Sequence, residues 1–357
     1  MTGTSTFRAP WFARNPHLQT LWGKFVAPEP PVEAVRVTWQ TPDGDDVVVI
    51  RANSERRDVP RFVLFHGLEG TERSHYVPAL FRAAADRGWA ADMLLWRSCG
   101  GANNRAARFY HSGETDDASW FLHQLAELYP SAPLIACGVS LGGNVLTKLI
   151  GDASLPLPAN LRAAVGVSVP FDLERGSRFI SQGASRLYEK WFLRSLRAKA
   201  TEKASRYPDR FPSAERIAGI RTLWEFDDII TAPLHGFDGA TDYYTRSSAK
   251  HFVHAARIPL LLLSAADDPF LPPDVLEDVR ERARHNPLVQ TEFVRHGGHV
   301  GFVTGDSPRR SRSYLADRIP AFLAQHLAGI AEGGRNAAGP DRPQSTTELA
   351  GMPSQLA

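Results

Sequence analysis

Apolar and polar positions alternate along residues 34–40 and again along 46–51, on either side of Pro42-Asp43-Gly44. That is the pattern of two antiparallel strands joined by a turn. Short apolar runs then take turns with stretches of helical spacing: a strand at 62–65, a helix at 77–87, a strand at 90–96, a helix at 115–129, a strand at 133–137, a helix at 143–151 and a strand at 162–168. Strands that alternate with helices predict an α/β fold, with a mostly parallel central sheet and helices on both faces. Over 169–257 the alternation stops and helical patterning takes over. It resumes at Ile258 with an apolar strand and closes with a short one near Glu292-Phe293-Val294. No internal repeat is apparent.

Candidate chemistry sits at the ends of these strands. Gly138-Val139-Ser140-Leu141-Gly142 follows the apolar run 133–137 and precedes Val145, Leu146, Leu149 and Ile150 at helical spacing. A strand that turns this sharply into a helix lifts the serine hydroxyl above the sheet edge and leaves the next amide, that of Leu141, free to donate to an oxyanion. Downstream, the apolar strand beginning at Ile258 ends in Asp267-Asp268, and the last strand runs into a glycine-flanked loop bearing His299. Serine, acid and histidine in this chain order belong to α/β-hydrolases, whereas other serine hydrolases arrange the same groups differently. A further strand ends in His66-Gly67-Leu68-Glu69-Gly70, where the Leu68 N–H is the expected second oxyanion donor and His66 shapes the loop.

Taken together, several motifs resemble the YheT-type α/β-hydrolases, bacterial relatives of the animal ABHD1, ABHD2 and ABHD3 lipid-cleaving enzymes. They are Asn15-Pro16-His17-Leu18-Gln19-Thr20-Leu21-Trp22, His66-Gly67-Leu68-Glu69-Gly70, Tyr110-His111-Ser112-Gly113-Glu114-Thr115-Asp116-Asp117, Ser140 in its turn, Asp267-Asp268-Pro269-Phe270 and Gly297-Gly298-His299-Val300-Gly301-Phe302. The match covers about residues 10 to 328. The resemblance implies a serine esterase acting on carboxylic esters of short- to medium-chain acids, monoacylglycerol or other lipid esters. It assigns the acid to Asp268, which stands three residues before the Leu271-Pro272 step, and leaves Asp267 to cap a loop. It also selects His299, followed by Val-Gly-Phe, over His296, which becomes loop surface. The animal members carry an N-terminal membrane helix, and none is visible here.

Three competing activities share the same Ser140, Asp268 and His299 set: thioesterase, amidase and acyltransferase. A catalytically silent binding protein is the alternative from another class. The intact triad and turn glycines argue against silence.

Composition narrows the remaining choices. A net charge of +2 with dispersed basic residues gives no reason to expect nucleic acid. Two cysteines, Cys99 and Cys137, exclude a disulfide framework, and no cofactor or metal is expected. Asp227, Asp228, His235 and Asp238 fit no metal-ligand spacing and are expected to cap loops, while Ser112 and Thr115 are expected to cap the helix at 115–129. No run reaches about 18 apolar residues and no secretory pattern opens the chain, so a cytoplasmic, soluble protein is expected. The expected organisation is an N-terminal segment (1–30) packed on the body, a hydrolase core (31–168 and 258–328), a helical cap (169–257) and a disordered tail (331–357) rich in Gly, Pro, Ser, Asn and Gln. Within the cap, Leu187, Tyr188, Trp191, Phe192 and Leu196 interleave with Lys190, Arg194, Arg197 and Lys199. The spacing reads as a helix packed on the core with a basic outer side, or as a lid in peripheral contact with an anionic lipid surface.

Overall fold

The computed structural model describes residues 5–26, 30 and 32–327. The tail over 331–357 lies outside them. Eight strands form one sheet: β1 (Val35–Gln40), β2 (Asp46–Ala52), β3 (Arg61–Phe65), β4 (Ala90–Leu95), β5 (Leu134–Val139), β6 (Leu161–Val167), β7 (Leu260–Ala265) and β8 (Val289–Val294), in the spatial order β1-β2-β4-β3-β5-β6-β7-β8. β1 pairs antiparallel with β2 and β2 antiparallel with β4; every other pairing is parallel. All residues of β3, β4, β5 and β7 are buried. This is why they read as unbroken apolar runs rather than alternating ones: helices cover both faces of a parallel sheet. A two-stranded ribbon of β9 (Val303–Thr304) and β10 (Arg312–Ser313) stands apart from it.

The strand order positions the site. From β3 the chain passes to β4 on one side and then crosses to β5 on the other, so β3 and β5 flank a topological switch point, where ligands of open α/β sheets bind. Register places Phe65 opposite Gly138. The loops that leave the two strand ends, 66–70 and 139–141, therefore emerge side by side.

The helices are α1 (Pro16–Phe25), α2 (Tyr76–Ala85), α3 (Asp116–Leu128), α4 (Leu141–Gly151), α5 (Leu173–Ile180), α6 (Arg186–Arg206), α7 (Ala214–Gly219), α8 (Leu223–Phe226), α9 (Ala232–His235), α10 (Ala240–Ser247), α11 (Asp274–Ala283) and α12 (Tyr314–Gln325). A π-turn, Asp227–Thr231, joins α8 to α9. Helices α5 to α10 all fall between β6 and β7. Helix α4 starts at Leu141, two residues before the expected start at 143, because β5 turns straight into it. At α3, Thr115 occupies the cap position without a side-chain bond; the Glu114 carboxylate instead accepts from the Asp116 N–H at 3.2 Å.

Helix α6 differs from its sequence reading. Its buried face is Glu189, Leu193, Leu196, Ala200 and Lys203, while Leu187 and Trp191 point outward, 70% and 53% exposed. The charged ends of that face are satisfied by specific partners. Glu189 accepts from Ser181 Oγ (2.7 Å) and the Leu223 N–H (2.9 Å), and Lys203 donates to Asn104 Oδ1 (2.7 Å) and the Arg108 carbonyl (2.9 Å). Paired ends allow a Glu and a Lys to lie where periodicity would demand apolar residues.

Candidate active site

Ser140 sits between β5 and α4 with φ 54° and ψ −120°, a strained conformation for a non-glycine residue. The turn closes because its glycines have no side chain: a Cβ on Gly138 would lie 2.3 Å from the Gly142 carbonyl oxygen, and one on Gly142 2.3 Å from that of Phe65. His299 Nε2 is 3.0 Å from Ser140 Oγ, and His299 Nδ1 is 2.8 Å from Asp268 Oδ2. The second oxygen, Asp268 Oδ1, accepts from the Phe270 N–H at 2.8 Å, and the Phe270 ring lies 4.1 Å from the imidazole centroid. The neighbouring Asp267 faces elsewhere: its Oδ1 accepts from the Gly297 and Gly298 amides, both at 2.9 Å, and its Oδ2 lies 3.1 Å from His296 Nδ1.

The loop after β3 approaches the same serine. A Cβ on Gly67 would meet Ser140 Cβ at 3.0 Å. The amides of Gly67, Glu69 and Gly70 donate to Tyr76 Oη, Tyr110 Oη and the Gly67 carbonyl, whereas the Leu68 N–H has no partner among the described residues. Nor does that of Leu141, at the positive end of α4. His66 fixes this arrangement. Its Nε2 accepts from the Trp96 N–H (3.0 Å), so the proton is on Nδ1 and is donated to the Gly67 carbonyl (2.7 Å). Because that carbonyl and the Leu68 N–H share one peptide plane, holding the first sends the second the other way. Full burial pushes the His66 pKa down to about 3, so the imidazole stays neutral.

Sequence reasoning missed the residues that brace the site. Glu69, at φ 56°, takes hydrogen bonds from Tyr110 Oη (2.9 Å), Lys199 Nζ (2.7 Å) and Ser195 Oγ. Lys199 and Ser195 belong to α6, so the insertion grips the loop that carries Leu68. On the other side, α1 supports the histidine loop. Thr20 Oγ1 accepts from the His299 N–H (2.9 Å), and Gln19 accepts from the Val303 N–H (2.7 Å). Gly298 (φ 58°) and Gly301 leave room for that helix; a Cβ on either would lie within 2.5 Å of a carbonyl oxygen of α1. Asn15 caps α1 by accepting from the His17 and Leu18 amides. The polar Gln19-Thr20 step, set between Leu18 and Leu21-Trp22 in the sequence, was the available signal. Ser168, Val300 and Phe302 also have positive φ, so strained backbone concentrates around this cleft.

The cleft in front of Ser140 is a cavity of about 130 Å³ with mainly apolar walls, among them Leu68, Leu141, Leu173, Phe192, Leu196 and Phe270. Asp227 also lines it and does not cap a loop; Asp228 does, accepting from the Ala240 N–H at 2.9 Å. His235 turns instead toward His111, their ring centroids 4.4 Å apart, and with Glu114 their ligand atoms lie within 4.8 Å of one another. These residues suit a metal poorly. His111 Nδ1 accepts from the Gly113 N–H (3.1 Å), which puts the ring proton on Nε2, and Glu114 is already paired with Arg108 at 2.6 Å. Cys99 and Cys137 are buried free thiols; burial raises both, Cys99 to about 12.

A sheet of this order, with a serine turn at its switch point, defines an α/β-hydrolase, and comparison with known proteins agrees. Residues 60–306 match the model of the alpha/beta hydrolase fold family, and the chain belongs to that family as an enzyme of the esterase and lipase type. Its particular kinship is with the YheT esterase of Escherichia coli, 38% identical over 88% of this chain and 91% of that protein. The human phospholipase ABHD3 is 28% identical over 84% of this chain and 74% of its own length. A monoacylglycerol lipase of Saccharomyces cerevisiae is 28% identical over 74% of this chain and 59% of its own. Among solved structures, the Pyrococcus furiosus esterase Pf2001 shares the fold, with a TM-score of 0.54 at 14% identity, over 84% of this chain and 99% of that one.

Proposed function

We propose that the protein hydrolyses carboxylic esters through an acyl-serine intermediate. The observation that carries this reading is the unbroken chain Ser140–His299–Asp268, at 3.0 and 2.8 Å, beside two free amides. His299 takes the Ser140 proton as Oγ attacks the ester carbonyl, and the Asp268 carboxylate holds the imidazole and its positive charge. The Leu68 and Leu141 N–H groups receive the charge that develops on the carbonyl oxygen, each worth roughly 3 kcal/mol in the transition state. The imidazolium returns its proton to the leaving alcohol, and a water activated by His299 releases the acid. The cavity of about 130 Å³ is comparable to a dry engineered pocket of roughly 150 Å³ that holds benzene, which supports short-chain acyl groups. The names of YheT, ABHD3 and the yeast lipase point to ester bonds, those of lipids included.

The test is labelling with a fluorophosphonate probe. Ser140 is the expected site, and Ser140→Ala is expected to abolish both labelling and the turnover of p-nitrophenyl butyrate. Esterase activity that survives this substitution overturns the assignment. A wild-type protein that neither labels nor turns over any ester or thioester favours a binding protein instead.

We further propose that α1 and α6 together form a face that meets lipid surfaces. Phe25, Leu187 and Trp191 are more than half exposed, and Lys24 bridges the two helices with its ammonium 4.5 Å from the Trp191 ring. Arg186, Lys190 and Arg194, within four residues of Leu187 or Trp191 on α6, are exposed as well, and no acidic residue occurs in 5–26. Trp191 packs against Phe192, which lines the cleft, so this apolar and basic face adjoins the entrance. No helix among the described residues is long and apolar enough to cross a membrane.

A further inference from the structure

Asp227 is a charged group that the triad mechanism does not use. It opens the π-turn between α8 and α9, and its carboxylate accepts from Thr231 Oγ1 and Tyr244 Oη, both at 2.7 Å. Those two bonds fill about half of the acceptor positions of a carboxylate. Among the described residues no lysine, arginine or histidine pairs with it. The other acid and base in the cavity wall, Glu69 and Lys199, pair with each other at 2.7 Å. His111, also in the wall, is held neutral by burial. The uncompensated charge of the cavity is therefore that of Asp227, set among Leu173, Phe226, Tyr243 and Tyr244.

A carboxylate in an apolar wall, without a counter-ion, weighs against the fold. It becomes favourable when a donor occupies its free lone pairs in the same low-dielectric space. The π-turn adds a second observation: its extra residue breaks the regular i to i−4 ladder at this point, a device common at functional sites. The sign of the charge also decides what is unwelcome, since a phosphate or carboxylate placed here would face like charge with nothing to neutralise it.

We propose that Asp227 is a binding residue of the cleft and receives a hydrogen-bond donor, a hydroxyl or an ammonium, carried by the substrate. The substrate is then an ester with a donor group away from its reacting carbonyl, and not a plain hydrocarbon ester. Calling the ligand a substrate rests on the hydrolase reading; the donor site itself does not.

The experiment is titration calorimetry of the full chain with three small probes of similar size. Hexan-1-ol offers a hydroxyl, hexylamine is an ammonium at neutral pH, and methyl pentyl ether has no donor. The alcohol and the amine are expected to bind the wild-type protein at least tenfold more tightly than the ether. Asp227→Asn, which keeps the side-chain shape, is expected to lose at least tenfold for hexylamine while binding the ether unchanged. Asp227→Leu should remove the preference for both donors, and if it fails to fold, the Asn variant alone decides. Preference for the amine only assigns the site to a cation; preference for both assigns it to any donor, and either supports the proposal. Equal binding of all three probes to the wild type overturns it, as does equal weakening of all three by Asp227→Asn. No turnover is read, so failure of the hydrolase proposal would show separately, as absent probe labelling of Ser140.

Discussion

Asp267 and Asp268 are adjacent in the turn that follows β7, yet their carboxylates face different partners. Asp268 reaches His299, and Asp267 ties down the Gly297 and Gly298 amides at the start of the histidine loop. Replacing Asp268 by Asn would free the imidazole to adopt the wrong tautomer, a change worth on the order of 10⁴ in kcat for a comparable triad. Asp268→Asn is therefore expected to lower kcat by about that factor with the melting temperature nearly unchanged. Asp267→Asn is expected to act the other way round, losing about 1–2 kcal/mol of stability from its charge-assisted bonds and less than tenfold in kcat. Steady-state kinetics and thermal melts on both variants check this, and a larger kcat loss at Asp267 would reverse the two roles. Sequence order and family pattern named Ser140, His299 and Asp268; which carboxylate touches which nitrogen is a matter of distance alone. What Gln19, Thr20 and Glu69 hold, and the bond from the Val300 N–H to Ser168 Oγ, were illegible because these partners lie tens to hundreds of positions away.

At the scale of elements, the helices between β6 and β7 and the loop after β3 are one mechanical unit. Helix α6 reaches Glu69 with both Lys199 and Ser195, and Glu69 neighbours the Leu68 amide in a loop held at positive φ. Glu69 positions rather than reacts, so its loss should fall on the transition state. Glu69→Gln and Lys199→Met are each expected to lower kcat by about 10- to 100-fold with KM changed less than threefold, the scale of one poorly aimed oxyanion donor. Lys199→Arg should restore most of the loss. A rise in KM at constant kcat would instead place the pair in substrate binding. The periodicity of α6 announced a helix and left open whether its apolar residues meet the core or a lipid surface. Leu187 and Trp191 share the apolar character of Leu193 and Leu196, and only docking shows which stripe meets the core.

Over the whole molecule, two ionisable groups, the half-buried Asp227 and the buried His66, set opposite pH trends. Burial raises the Asp227 carboxyl from an ordinary 3.8 to about 6. In the window from about 4 to 6 the folded state therefore holds a proton that the unfolded chain has released, and stability from this group falls as pH rises through 6. Asp227→Asn is expected to raise the melting temperature at pH 8, by a gain of at most about 3 kcal/mol, and to bring no gain at pH 4. Burial lowers His66 from 6.5 to about 3, so its contribution is complete above 6.5 and is lost as pH falls toward 3. Thermal melts from pH 4 to 8 on wild type and Asp227→Asn read the first trend directly; an equal gain at both ends would refute it. The surface has its own test. Sedimentation with vesicles of phosphatidylcholine, alone or with 30% phosphatidylserine (roughly the range in which surface charge attracts basic segments), should show binding to the anionic vesicles only. The double substitution Leu187→Ser with Trp191→Ser should weaken that binding at least tenfold while p-nitrophenyl butyrate turnover stays constant. Wild-type protein that remains in the supernatant with both vesicles removes the lipid-facing role.

Local patterning was enough to show an α/β fold, because burial on both faces of a parallel sheet forces unbroken apolar strands. It was also enough to place a serine on a turn that only Gly138 and Gly142 permit, since that requirement is met by near neighbours in the chain. The long-range joins were decided by the tertiary structure: α1 beneath the histidine loop, α6 on Glu69, His111 against His235, and Asp227 in the cavity wall. The physical reason is common to all of them. A hydrogen bond or an apolar contact leaves its mark on a sequence when it repeats at the period of a helix or strand, and a single contact between distant segments has no period to reveal it.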